Sequence, residues 1–251
     1  MKSLRIGCVK YLNARPLVAG WDSNVILDHP SALCAQLARG QLDVALVSSF
    51  EFLRNPVYRI VDGVSISSDA AVYSVVVAHR GDFEEITEIA LDPAAETSGN
   101  LLRCLLAKLN LKPVIGSTAQ SPQSARLLIG DQAIRFRKEH GDDFHYFDLG
   151  EQWQKLYAVP FVYALWLIRP EVRDPHAIAG RLRALRDDNV AKIDNIILGE
   201  TEFDPEFCRR YYREHLRFTF GEREKQGLRL FAKLCQKHDL LPKNELVLDL
   251  V

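Results

Sequence analysis

Val72-Tyr-Ser-Val-Val-Val-Ala78 and Phe161-Val-Tyr-Ala-Leu-Trp-Leu-Ile168 are two long β-type runs that bracket the middle third of this chain. Their β-branched and aromatic content predicts buried strands. A chain that leaves a first unit along 72–78, builds a second unit, and returns along 161–168 has two crossings. Two crossings make a hinge, and a hinge leaves a cleft between the units.

Working outward, strand and helix patterns alternate throughout, which predicts α/β architecture. Strands are expected at about Leu4–Val9, Val25–Leu27, Leu42–Val47, Ile89–Leu91, Leu127–Asp131 and Tyr146–Leu149. Ser31 is placed as an N-cap, with Ala32 to Arg39 helical and Gly40 as the stop. Leu101, Leu102, Leu105, Leu106 and Leu109 mark one apolar helix face. The last third turns helical, over about Pro175–Leu198, from Asp204-Pro205, and from Glu222 to His238. The expected organisation is residues 1–76 plus 168–251 as one discontinuous domain, with 77–167 as an inserted second domain. This is the plan of bilobal solute-binding proteins: two α/β domains joined by two crossover strands.

The 251 residues are ample for such a core. A net charge of -1 with no basic block argues against a nucleic-acid partner. No apolar run approaches the roughly 20 residues a membrane helix needs, so no membrane partner is expected. The start, Met1-Lys-Ser-Leu-Arg-Ile-Gly, lacks a secretory pattern, and the expectation is a cytoplasmic protein, monomer or homodimer. Five scattered cysteines have no metal or redox spacing and read as small buried hydrophobes.

Candidate site residues cluster at strand ends, where open α/β sheets put ligand chemistry. Asn13, after the first strand in Tyr11-Leu-Asn-Ala-Arg-Pro16, is one such residue. Ser48, Ser49 and Ser74 are others, as uncharged donors suited to an anionic small molecule. Thr97-Ser98 precedes a helix, where free N–H groups can cradle a carboxylate, although any helix also favours such residues as a cap. Asp131 either caps the next helix or reaches the opposite lobe. Arg15 either forks a carboxylate or lies in solvent. None of the seven histidines has a nucleophile partner in sequence or metal spacing. Polar donors without an evident acid–base pair leave two classes open: an enzyme whose substrate supplies part of its own chemistry, or a binding protein.

The ordered set Arg5-Ile-Gly, Tyr11-Leu-Asn13, Gly40-Gln-Leu-Asp43-Val-Ala, Ser48-Ser-Phe-Glu51-Phe, Tyr73-Ser74-Val, Thr97-Ser98, Leu128-Ile-Gly-Asp131-Gln-Ala-Ile and Asp148-Leu-Gly-Glu-Gln-Trp153 resembles a known family. It is similar to the chorismate dehydratases (menaquinone biosynthetic enzyme A), relatives of type II periplasmic-binding proteins that open the futalosine route to menaquinone. The turn typical of the sister family, which makes dihydroxynaphthoate, is absent. The resemblance implies a carbon–oxygen lyase that turns chorismate into 3-enolpyruvylbenzoate and water, with no metal or organic cofactor. It implies Asn13 and Ser74 at the reacting edge, with Tyr11, Ser48, Ser49, Thr97, Ser98 and Asp131 binding substrate. One departure stands out: Tyr157-Ala158 replaces the family's usual Thr-Gly before the Pro160-Phe strand start.

Overall fold

The computed structural model describes residues 4–21, 24–92, 95–116 and 125–251. The strands are β1 (Ile6–Val9), β2 (Val25–Asp28), β3 (Val44–Ser48), β4 (Arg59–Ser68), β5 (Val75–His79), β6 (Glu88–Ala90), β7 (Val114–Gly116), β8 (Ala125–Ile129), β9 (His145–Asp148), β10 (Phe161–Ile168) and β11 (Arg217–Phe220). The α-helices are α1 (Pro30–Ala38), α2 (Ser49–Arg54), α3 (Glu96–Lys108), α4 (Gly130–His140), α5 (Leu149–Tyr157), α6 (Pro175–Ala191), α7 (Ile193–Leu198), α8 (Pro205–Arg210) and α9 (Glu222–Lys237). Met1 to Ser3 and Pro93 lie outside the described residues.

Two mixed sheets form. The first has the order β11-β4-β10-β3-β1-β2 and the second β7-β6-β8-β5-β9. In the first, β1 runs parallel to β2 and β3, while β10 runs antiparallel to β3 and β4. In the second, β5 lies antiparallel between β8 and β9. This is the bilobal α/β plan. The pairing also corrects where the chain changes lobe. All of β10 pairs in the first sheet and all of β5 in the second. Hydrogen bonding therefore moves the expected boundaries at 76/77 and 167/168: the chain crosses through 69–74 and returns through α5 and 158–160.

The first crossing is held by Asp148 at the N-cap of α5. Its carboxylate accepts from Gly150 N and Glu151 N of the helix and from Val72 N and Tyr73 N of the crossing, at 2.7–3.0 Å. Burial raises the Asp148 pKa, against the bonds from Glu151, Val72 and Tyr73, which pull it down. Tyr73 takes a left-handed φ of 67°. Arg137 steadies it, donating to its carbonyl at 2.8 Å and lying 4.0 Å over its ring. Ser74 is thereby fixed at the base of the second sheet.

Several local expectations shift. His29, not Ser31, occupies the N-cap of α1, because Pro30 is already the first helical residue. The long helix breaks at Lys192 into α6 and α7. The segment after the first strand forms a 3₁₀ turn, Leu12–Leu17, with Pro16 inside it. All five cysteines are buried and free. The apolar tail folds back on its own chain: Val251 N donates to Ile60 O at 3.0 Å, and Ile60 N to Asp249 O at 2.7 Å. No helix among the described residues is long and apolar enough to cross a membrane.

Ala158 closes α5 in the left-handed conformation, φ 55° and ψ 26°. A Cβ is disfavoured there, and glycine is the residue best suited to the position. Ala158→Gly is expected to stabilise the protein by about 1 kcal/mol, raising Tm by roughly 2–4 °C for a chain of this size. Thermal unfolding of the two proteins checks this; an unchanged or lower Tm refutes it.

Candidate active site

A cavity lies between the sheets, enclosing about 590 Å³ of atom-free space, open solvent at its mouth included. Such a volume suits a small organic ligand. The first sheet lines it with Val9, Ser48, Ile66, Tyr163 and Ala164, and the turn after β1 adds Tyr11 and Asn13. The second sheet adds Val75, Ile129 and Gly130, and the start of α3 adds Ala95 to Ser98. The wall is mostly apolar, and its polar groups are neutral except for Glu96.

Among the described residues, three sets of polar contacts join the lobes around this cavity. The Ser48 and Thr97 hydroxyls are in direct contact, and Phe50 N donates to Thr97 Oγ1 at 3.2 Å. Arg54 pairs with Glu96 across the mouth at 2.7 Å while also holding the buried Glu51 of its own lobe. Burial raises the Glu96 carboxyl pKa, opposed by the Arg54 charge. On the other side, Leu12 N donates to Asp131 Oδ1 at 2.8 Å. Asp131, its pKa raised by burial, thus joins the lobes instead of capping α4.

The expected site residues divide into two groups. Tyr11, Asn13, Ser48, Thr97 and Ser98 come together in the cavity wall. Thr97 and Ser98 are buried in the first turn of α3, where helix geometry leaves the backbone N–H groups without intrahelical acceptors. Asn13 Oδ1 is buried and has no hydrogen-bond partner among the described residues. Tyr11 packs on Gly130, whose φ of +56° opens α4; a Cβ there would come within 2.8 Å of the Tyr11 ring. Burial pushes the Tyr11 phenol up to about 12.

Ser49, Asp131 and Ser74 are not in the wall. The Ser49 hydroxyl donates to Val162 O at 2.7 Å and is spent on the first lobe's own backbone. Asp131 is spent on Leu12 N. Ser74 is completely buried one layer back, where Tyr211 Oη donates to its Oγ at 2.6 Å. Arg15 pairs with Glu200 outside the cavity. Tyr157 packs on Trp153 at 4.5 Å and is not in the wall, so the departure at 157–158 leaves the cleft shape alone.

Sequence reading missed Tyr163, Glu96 and Tyr211. Tyr163 was legible as a strand residue, but its inward face depends on the register with β3 and β4. Glu96 precedes Thr97 and was hidden by the usual preference for acids in a first helical turn. Tyr211 carries no local signal.

Fold comparison finds the same architecture in several solved proteins. Protein AF1704 from Archaeoglobus fulgidus superposes with a TM-score of 0.72 at 14% identity, covering 95% of this chain and 98% of that one. The periplasmic aliphatic sulphonate binding protein SsuA from Escherichia coli gives 0.65 at 14% identity, over 98% and 94%. In sequence, the chorismate dehydratase of Thermus thermophilus is 26% identical over 261 residues, 93% of this chain and 95% of that protein. The family model described as menaquinone biosynthesis matches residues 4–237. With nearly the whole chain matched and the cavity formed where the two sheets meet, this protein belongs to the menaquinone biosynthesis family.

Proposed function

We propose that this chain is a chorismate dehydratase, converting chorismate to 3-enolpyruvylbenzoate and water. The observation that carries the reading is the cavity itself: an apolar chamber between two lobes, with neutral donors from both lobes at one place. Chorismate has two carboxylates and a ring one dehydration away from aromaticity. Loss of the C3 proton and the C4 hydroxyl forms the last ring double bond and releases water. Because aromatisation drives the reaction, the protein must chiefly fix the dianion in a dry site and guide one proton.

In this reading the start of α3, with the Thr97 and Ser98 hydroxyls, takes one carboxylate. Ser48 faces the second lobe and contributes to the other. Asn13 lies along the reacting C3–C4 edge, its amide helping the hydroxyl to leave. Among the described residues no wall residue is a strong free base, and Glu96 is held by Arg54. The substrate's own enolpyruvyl carboxylate accepts the C3 proton, and Asn13 orients it. The two lobes separate to admit chorismate and close over it through the Ser48–Thr97, Arg54–Glu96 and Leu12–Asp131 contacts.

Incubation of the purified protein with chorismate, followed by chromatography, tests the reading. One equivalent of 3-enolpyruvylbenzoate should appear per chorismate consumed. Tight binding of chorismate with no product would instead select a binding or sensing protein.

A further inference from the structure

Tyr211 stands outside the cavity wall, yet its phenol meets Ser74, one layer behind the wall, and neighbours Asn13 in the wall. Its hydroxyl donates to Ser74 Oγ at 2.6 Å, and the Asn13 carboxamide is a close electrostatic neighbour. These three residues come from the turn after β1, the interlobe crossing, and the C-terminal region. Tyr211 opens a single π-turn, Tyr211–His215, that continues α8. Such turns are rare and are found mostly where a helix must aim a particular side chain. The ring is completely buried and stacked on Phe207, with centroids 5.6 Å apart and planes 14° apart.

We propose that Tyr211 is a positioning residue for the dehydration, locking the Ser74 hydroxyl and the Asn13 carboxamide in one orientation. A phenol carries one hydrogen. By giving it to Ser74 Oγ, Tyr211 leaves the Ser74 hydrogen to point elsewhere. Beside this phenol, Asn13 Oδ1 is buried with no partner among the described residues. An unpaired buried carbonyl oxygen costs free energy unless a ligand satisfies it. Tyr211 thus holds Asn13 ready to accept from a substrate donor, the C4 hydroxyl. The inference rests on the chorismate reading for the identity of that group.

The neighbouring Tyr212 supplies the comparison. It lies in the same π-turn, is also buried, and spends its phenol on a backbone acceptor, Leu12 O, at 2.9 Å. Tyr211→Phe and Tyr212→Phe each delete one buried phenol hydrogen bond, so a merely structural role would move both alike. Steady-state turnover of chorismate should show kcat down by about 10–100-fold in Tyr211→Phe, with KM within about threefold. Tyr212→Phe should keep kcat within about threefold while its Tm falls by a similar amount.

Equal kcat in Tyr211→Phe and the parent overturns the proposal, and so do equal losses in the two Phe variants. If Tyr211→Phe does not fold, fluorotyrosine at 211 keeps the ring and strengthens the donor. A shift in kcat without a shift in KM then supports the proposal, and an unmoved kcat overturns it. A parent protein that makes no 3-enolpyruvylbenzoate overturns the underlying reading. Parent turnover with an unaffected Tyr211→Phe overturns only this inference.

Discussion

Asn13→Ala is expected to lower kcat for chorismate by about 10²-fold or more, the usual scale for one preorganised polar group at a reacting centre. The expectation follows from the amide's position rather than from any acidity. An Asn side chain is neutral at every working pH, so it contributes by geometry and dipole. In the folded protein the amide lies beside Tyr211, and its oxygen is buried with no partner among the described residues. Alanine removes the whole amide. KM should change less than kcat, because carboxylate binding is assigned to the α3 start and Ser48. Asn13→Asp separates the two roles. It keeps the shape but places a negative charge beside a dianion, so KM should rise along with the fall in kcat. Turnover of Asn13→Ala within threefold of the parent would remove Asn13 from the reacting edge.

The lobes and the cavity wall were legible because their signals are local. The β-branched runs, the strand-end Asn13 and Ser48, and the Thr97-Ser98 helix start all follow from residue type and short spacing. What escaped reading depends on partners far along the chain. Strand β4 carries Ser65, Ser67 and Ser68, all buried, which breaks the alternation expected of a strand. These hydroxyls are satisfied from outside their own segment: Ser65 donates to Thr219 O, Ser67 to Arg217 O, and Ser68 shares a hydrogen with Tyr163. The same logic hid Asp131. Its sequence context suits a helix cap equally well, and only the fold brings Leu12 N to it. Tyr211 is the extreme case, since nothing in Arg209-Arg210-Tyr211-Tyr212 distinguishes a residue aimed at a site from one filling a core. Its role emerges when a π-turn sets it beside Ser74.

Gly227→Ala is expected to lower folding stability by about 3 kcal/mol or more, at or beyond the upper end of the usual cost of overpacking. Two effects oppose each other at this position. Alanine is the better helix former by about 1 kcal/mol, and in an open helix that gain would prevail. Gly227, however, is buried in α9 where the helix presses on the returning chain: an added Cβ would lie 1.9 Å from Pro160 O and 3.1 Å from Pro160 C. The obstacle is backbone, so no rotamer change relieves it. Inserting a methyl into a filled core costs about 1–3 kcal/mol even where side chains can yield. At Gly227 α9 itself must back away from the segment leading into β10, loosening the packing of Phe231 on Phe161 and Trp153. Gly180 in α6 isolates the steric effect, because an added Cβ there meets nothing within 4 Å. Gly180→Ala should therefore be neutral or gain up to about 1 kcal/mol by the same helix preference. Urea unfolding of both variants decides between the two effects: the Gly227→Ala midpoint should fall well below the parent's while the Gly180→Ala midpoint does not. A Gly227→Ala midpoint at or above the parent's would mean that α9 does not rest on Pro160. It would also remove the support holding β10, and with it Tyr163 and Ala164, against the cavity.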